Sequence, residues 1–144
     1  MDKNYDVLKI ENQMCFPLYA CSREIIKMYK PYLDLVDLTY TQYITMLILW
    51  EQGSATAKEL GDRLYLDSGT LTPLLKKLES KKLVKRCRSK EDERSLIVTL
   101  TEEGVALREK AMEIPLGMSK CVKLTPEERT TLRALLDKLL ESCT

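Results

Sequence analysis

The sequence predicts a mainly helical fold with one small β-hairpin, and three observations predict it. Leucine, alanine, lysine and glutamate outnumber the β-branched and aromatic residues, with Phe and Trp present once each, which suits helices better than a β-sandwich. Apolar residues return at three- and four-residue steps through most of the chain, the period of a helix with one buried stripe. One stretch alternates instead: LVKRCR, a polar SKEDERS and LIVTL run consecutively from residue 83 to 100, as two strands joined by a charged tip do. With 144 residues, 44% hydrophobic and 31% charged, the chain has globular composition and about the length of one domain.

Element by element, Leu8, Met14, Cys15, Leu18, Tyr19, Ile25, Ile26 and Tyr29 predict a long first helix over 8–33. Pro17 inside it removes a backbone donor and predicts a kink near 13–15, while Lys30-Pro31 marks its end. A second helix over 41–51 is almost continuously apolar, hence buried on most sides, and Gly53 stops it. Residues 57–64 and 68–81 read as two short helices joined by a tight turn, a helix-turn-helix. Asp67 or Ser68 caps the second of these, and Leu71, Leu74, Leu75 and Leu78 form its apolar stripe. Ser68, Thr70, Thr72, Lys76 and Lys77 are left on exposed arcs. The hairpin follows directly and becomes a wing with Lys90 and Arg94 at its tip. A helix from Thr101 to Ile114 ends before Pro115, and a last helix opens at Thr125-Pro126-Glu127-Glu128 with a capping box. The predicted architecture is one winged helix-turn-helix domain over 1–144. About 41–101 forms the DNA-binding unit, and about 1–40 and 102–144 form dimerisation helices.

Charge distribution gives the partner. Net charge is +1, yet residues 76–90 carry eight basic side chains against Glu79 alone, leaving −6 elsewhere. A basic segment on an otherwise acidic protein is what a phosphate-contacting surface needs. Small hydroxyls at the front of a helix reach base edges, mid-helix lysines neutralise phosphates, and an arginine on a wing enters a narrow minor groove. Double-stranded DNA is therefore the expected partner. Leu132, Leu135, Leu136, Leu139 and Leu140 with the long first helix offer more apolar surface than one small domain buries, so a homodimer on pseudo-palindromic half-sites is expected.

The sequence also narrows the chemistry. No histidine is present, which removes the usual general base and argues against an enzyme. Without histidine or a C-x-x-C pair, neither a metal site nor a cofactor is expected. No run approaches the ~18 apolar residues of a membrane span, and MDKNYDVLKIENQ lacks a signal peptide's apolar core, so a cytoplasmic protein is expected. Five widely spaced cysteines, Cys15, Cys21, Cys87, Cys121 and Cys143, should then rest as thiols.

This order of elements resembles the MarR family of bacterial regulators, and KEDERSLIVTLTEEG resembles that family's D-x-R…L-T-x-x-G wing signature. ENQMCFPLYACSRE, YKPYLD, LTYTQY and LYLDSGTLTPLLKKLE are similar to the organic hydroperoxide resistance regulators within it. The resemblance implies that Cys15 is the peroxide-reactive cysteine, with organic hydroperoxide or a related oxidant as effector. It implies that Tyr29 and Tyr40 reach the sulfur from the other subunit, with Tyr19 one helical turn past Cys15. Phenolic donors support a thiolate, the form that attacks peroxide. Asp92 and Arg94 match the wing pair in which the acid orients the arginine. Cys121 matches the resolving position of two-cysteine members, which implies an intersubunit Cys15 to Cys121 disulfide and loss of DNA affinity. Cys21, six positions from Cys15 and nearly opposite on the helix, is a poor partner, and Cys87 and Cys143 have no counterpart. Three other readings of the same residues stand beside this one: release by a small phenolic or lipophilic ligand, a thiol peroxidase using Cys15, and a bare dimeric interaction module.

Overall fold

The computed structural model describes residues 3–144. Seven α-helices and three short strands follow in the order α1 (Cys15–Asp34), α2 (Tyr40–Gln52), β1 (Ser54–Thr56), α3 (Ala57–Leu64), α4 (Ser68–Ser80), β2 (Val84–Arg88), β3 (Leu96–Leu100), α5 (Glu102–Ala111), α6 (Glu113–Cys121) and α7 (Pro126–Cys143). The helix-turn-helix is α3 and α4, and the wing is β2 and β3.

The first helix starts later than its apolar pattern predicts. Residues before it wind into two 3-10 turns, Asp6–Leu8 and Ile10–Asn12. These are fastened by Asn12 Nδ2 donating to the Asp6 carbonyl and Gln13 Nε2 donating to those of Val7 and Lys9, at 2.7–2.8 Å. Pro17 is therefore the third residue of α1, where its missing N–H has no intrahelical partner to lose, and the expected kink does not arise. Pro31 does not end the helix either, which continues to Asp34. Lys27 and Pro31 are both exposed, so water takes the missing donor's place, and the packing of Tyr32 and Leu33 carries the helix on.

Pro115 works the same way. It does not follow a helix running to Ile114; α5 stops at Ala111 and Pro115 is the third residue of a separate α6. A proline cannot extend the ladder of α5, but it is harmless in the first turn of a new helix. The wing also gains a strand that three residues could not announce: β1 pairs antiparallel with β3 through Ala55 and Val98, giving the order β1-β3-β2.

The core is one cluster centred on α2, where Met46 and Leu49 are fully buried, closed by the leucines of α3 and α4, Val84, Val98 and Ile114. Thr39 caps α2 in a capping box with Gln42. At the wing base, Trp50 Nε1 donates to the Gly104 carbonyl at 2.8 Å and Thr101 N–H to that of Leu83 at 3.1 Å. Gly104 is buried there, and a Cβ on it would collide with the Leu83 carbonyl and crowd Leu100 Cδ2 at 3.1 Å. Gly104→Ala is expected to cost about 1–3 kcal/mol, the usual range for overpacking. A thermal melt at fixed protein concentration checks it; an unchanged midpoint would show that the wing base yields freely.

Candidate functional site

The recognition surface is built by α4. Asp67 caps it, its Oδ1 accepting from Thr70 N–H at 2.7 Å, and the donors of Thr70 and Gly69 hold the carboxyl below its usual range. Leu71, Leu74, Leu75 and Leu78 are buried, so Ser68, Thr70, Thr72, Lys76 and Lys77 all face solvent as their spacing predicts.

The wing tip carries Lys90, Asp92 and Arg94, all exposed. Asp92 acts on Arg94 through the backbone: its Oδ1 accepts from Arg94 N–H at 3.1 Å, and its Oδ2 accepts from Ser95 Oγ at 3.3 Å. The carboxylate thus fixes the turn from which the guanidinium projects. Ser89 Oγ accepts from the N–H groups of Glu91 and Asp92 and completes the tip.

Between α3, α4 and the wing lies a basic cleft that sequence reasoning did not anticipate, lined by Lys58, Lys76, Arg86, Arg88 and Arg94. Arg86 is already engaged, donating from N, Nε and Nη2 to the Glu79 carboxylate at 3.0–3.2 Å. These donors hold the Glu79 carboxyl below its usual range. The strap joining recognition helix to wing is therefore intact at neutral pH and is lost only on acidification through that lowered value. Arg88 donates to the Arg94 carbonyl at 3.4 Å. Lys58 pairs with the exposed Asp62 at 3.3 Å, a pair of little consequence. Arg88 lay within the basic run but was not singled out, and nothing in the sequence distinguishes Lys58 from an ordinary surface lysine.

The thiols fall at opposite ends of α1. Cys15 is its exposed first residue. Tyr19, one turn on, accepts from Arg23 Nη1 at 2.9 Å, with the guanidinium 5.6 Å from its ring. Tyr29 and Tyr40 meet far from Cys15, their ring centroids 5.0 Å apart and edge-on, with Tyr43 6.0–6.3 Å from both. Burial pushes all three phenols up, Tyr43 to about 12, so they stay protonated as donors. Cys15 and Tyr29 are fourteen residues apart on α1, about 21 Å at the helical rise. Cys121 ends α6 and is half-buried, its Sγ 3.6 Å from Tyr32 Oη. Seventeen residues separate Tyr32 from Cys15, about 25 Å. A disulfide needs Cα atoms within about 7 Å, so one protomer cannot join Cys15 to Cys121. Cys21, Cys87 and Cys143 are exposed as thiols.

Apolar surface accompanies the thiol. α7 buries no residue within the chain, and Leu135 is 60% exposed. Met14, beside Cys15, is 75% exposed and shares a groove with Leu135 and Leu139 of α7. The leucine face of α7 and the N-terminal part of α1, with Phe16, Leu18, Ile25 and Ile26, thus present apolar side chains to solvent.

Comparison with known proteins places this arrangement. The SarA/Rot family of transcriptional regulators matches residues 27–111. The organic hydroperoxide resistance transcriptional regulator of Bacillus subtilis is 50% identical over 99% of this chain and 97% of its own. The chain belongs to the organic hydroperoxide resistance regulators of the MarR type. Among solved structures, reduced AbfR bound to DNA superposes on the regulator with a TM-score of 0.82 at 34% identity, covering 96% of this chain and 95% of that one. Disulfide-formed AbfR, at 38% identity over 92% and 93%, gives 0.67; AbfR comes from Staphylococcus epidermidis. The winged helix-turn-helix read from the sequence is therefore the fold. No helix among the described residues is long and apolar enough to cross a membrane.

Proposed function

We propose that this protein is a homodimeric, oxidant-released regulator that holds pseudo-palindromic DNA while Cys15 is reduced and lets it go when an organic hydroperoxide oxidises that cysteine. The observation that carries this reading is the placement of Cys15. It is exposed at the start of an apolar helix, and its own chain's Tyr29 and Tyr40 are too distant to serve it. Tyr19 is the near phenol of the same chain, and only a second subunit can bring Tyr29 and Tyr40 to the sulfur, so those two donors tie the sensor to the dimer.

The chemistry balances as follows. The Cys15 thiolate attacks one peroxide oxygen, the O–O bond breaks, the alcohol leaves, and sulfenic acid remains. The thiol of Cys121 in the partner subunit then attacks that sulfur; the S–S bond forms, the S–O bond breaks, and water carries off the hydroxyl with the thiol proton. Bridging the start of one α1 to the end of the other subunit's α6 shifts both helices and so changes the separation of the two recognition helices. Half-sites about one DNA turn apart no longer fit. The chain superposes better on reduced, DNA-bound AbfR than on the disulfide form, which supports taking its conformation as the one competent for DNA. The relatives and structural neighbours are transcriptional regulators, some of them bound to DNA, which favours a switch over a peroxidase.

On DNA, Ser68, Thr70 and Thr72 face base edges, Lys76, Lys77 and Lys90 face phosphates, and Arg94 enters the minor groove with Asp92 setting the tip. The cleft residues Lys58 and Arg88 add phosphate contacts, whereas Arg86 is neutralised by Glu79. Lys58→Ala and Arg88→Ala are each expected to lower the slope of log K against log salt by about 0.9 per phosphate contact removed. They should do so equally on operator and unrelated DNA. Salt titrations by fluorescence anisotropy check this; unchanged slopes would remove these residues from the interface.

The function itself is tested by a gel shift on a palindromic operator from the protein's own upstream region, with and without stoichiometric cumene hydroperoxide. Binding that disappears with peroxide and returns with dithiothreitol is expected. Binding indifferent to peroxide would make Cys15 an incidental exposed thiol.

A further inference from the structure

Tyr32 has no part in the chemistry above, yet it is built tightly around Cys121. Its hydroxyl lies 3.6 Å from the sulfur. Its ring seats on Gly117, one helical turn before Cys121, so closely that a Cβ at Gly117 would overlap ring carbons. The backbone on either side of the cysteine is also tied. Arg129 donates from Nη2 to the carbonyls of Ser119 at 2.7 Å and Val122 at 2.8 Å, and from Nε to that of Leu124 at 3.2 Å. Three ties on the α6–α7 connection leave Cys121 less exposed than the other four cysteines.

This setting matters because Cys121 must act away from where it rests. Its own Cys15 is out of reach along α1, so the sulfur it resolves belongs to the partner subunit. Attack on that sulfur requires Cys121 to turn from Tyr32 toward the dimer partner. We propose that Tyr32 is a latch on the resolving cysteine: it holds the Cys121 thiol against its own α1 and sets how quickly disulfide follows sulfenic acid. The proposal rests on Cys121 being the resolving thiol. It assigns Tyr32 as a positioning residue, and Gly117 as the small residue that lets the ring approach.

A latch made by one contact slows release by about three- to tenfold, the worth of one net hydrogen bond. In Tyr32→Phe, reduced protein is therefore expected to alkylate at Cys121 three- to tenfold faster with iodoacetamide, scored by mass spectrometry of the tryptic peptide. Gly117→Ala, which pushes the ring off its seat, should do the same. After one equivalent of cumene hydroperoxide, Tyr32→Phe should form the cross-linked dimer on non-reducing gels faster by a similar factor. The formation of Cys15 sulfenic acid, trapped with dimedone in a Cys121→Ser background, should be unaltered.

Alkylation of Cys121 at the wild-type rate or slower in Tyr32→Phe overturns the latch. The alkylation rate needs no resolving chemistry, so it separates the two ideas. Faster alkylation with no cross-linked dimer in wild type or variant would keep the contact as a restraint on the thiol, sink the resolving role, and with it the latch's function.

Discussion

Cys15→Ser is expected to bind operator DNA within about two- to threefold of wild type and to ignore cumene hydroperoxide altogether. The wild-type protein under the same peroxide should lose about 10- to 100-fold in affinity, the usual span of coupling between an effector and a binding site. The structure argues for the clean separation. Cys15 is exposed at the first position of α1, contributes nothing to the core cluster, and lies outside the DNA-reading elements. A hydroxyl in place of the thiol therefore leaves the reduced conformation intact while removing the atom that peroxide oxidises. The phenols meant to support that atom do not limit the response on the alkaline side. Tyr29 and Tyr40 are raised above their ordinary value by burial, so they remain donors through neutral and mildly alkaline pH and cease to donate only as pH rises through those raised values. Equilibrium binding by anisotropy, with peroxide added in stoichiometric steps, measures both halves of the prediction. If Cys15→Ser still releases DNA on peroxide, another cysteine is the sensor, and exposed Cys87 in the wing becomes the first to examine. If a phenolic ligand releases the variant and wild type alike, the dimer is a ligand sensor whose Cys15 is incidental.

Much of this molecule could be read from its residues, and the exceptions share a physical cause. The helix-turn-helix was legible to within a residue because its signals are local: Asp67 caps α4, four leucines mark its buried stripe, and the hydroxyls and lysines between them fall outside. Three prolines misled, and Pro31, read as the end of the first helix, lies inside α1. Pro17 read as a kink in a long helix and Pro115 as the stop of another, whereas each occupies the third position of a new one, a distinction set by where tertiary packing starts the helix. Strand β1 left no periodic trace because three residues cannot show a period; it exists because β3 offers an open edge. Of the candidate site, Cys15 and the tyrosines proposed to serve it came with the family resemblance, and Tyr32 lies within one of the same motifs, YKPYLD, but the motif does not reveal what Tyr32 touches. Its relation to Cys121 spans 89 positions and depends on Gly117 lacking a side chain. Contacts of that kind belong to the packing of α1 on α6, not to any local pattern.

Leu132→Glu combined with Leu135→Glu should convert the protein to a folded monomer and weaken operator binding by about 10²- to 10⁴-fold. Both leucines are exposed, at 44% and 60%, on a helix that buries nothing in its own chain. New carboxylates there leave the winged unit's core untouched, and that core is complete without α7: the buried cluster runs from Leu33 to Ile114. The same charges placed against a partner's apolar face would be buried without a counter-ion, which an interface does not tolerate. The loss on DNA follows from linkage: two half-site contacts held in one dimer gain their second contact at high effective concentration, and that gain vanishes when the subunits part. Light scattering should report one chain's mass, and the far-ultraviolet circular dichroism should keep its helical signal. Single half-site binding should persist at high protein concentration with its salt dependence intact. Peroxide response should vanish too, because the tyrosines and the resolving thiol proposed to serve Cys15 would no longer be supplied by a second subunit. A double variant that stays dimeric would mean that the subunits meet elsewhere, and the leucine face of α7 would then need a different occupant.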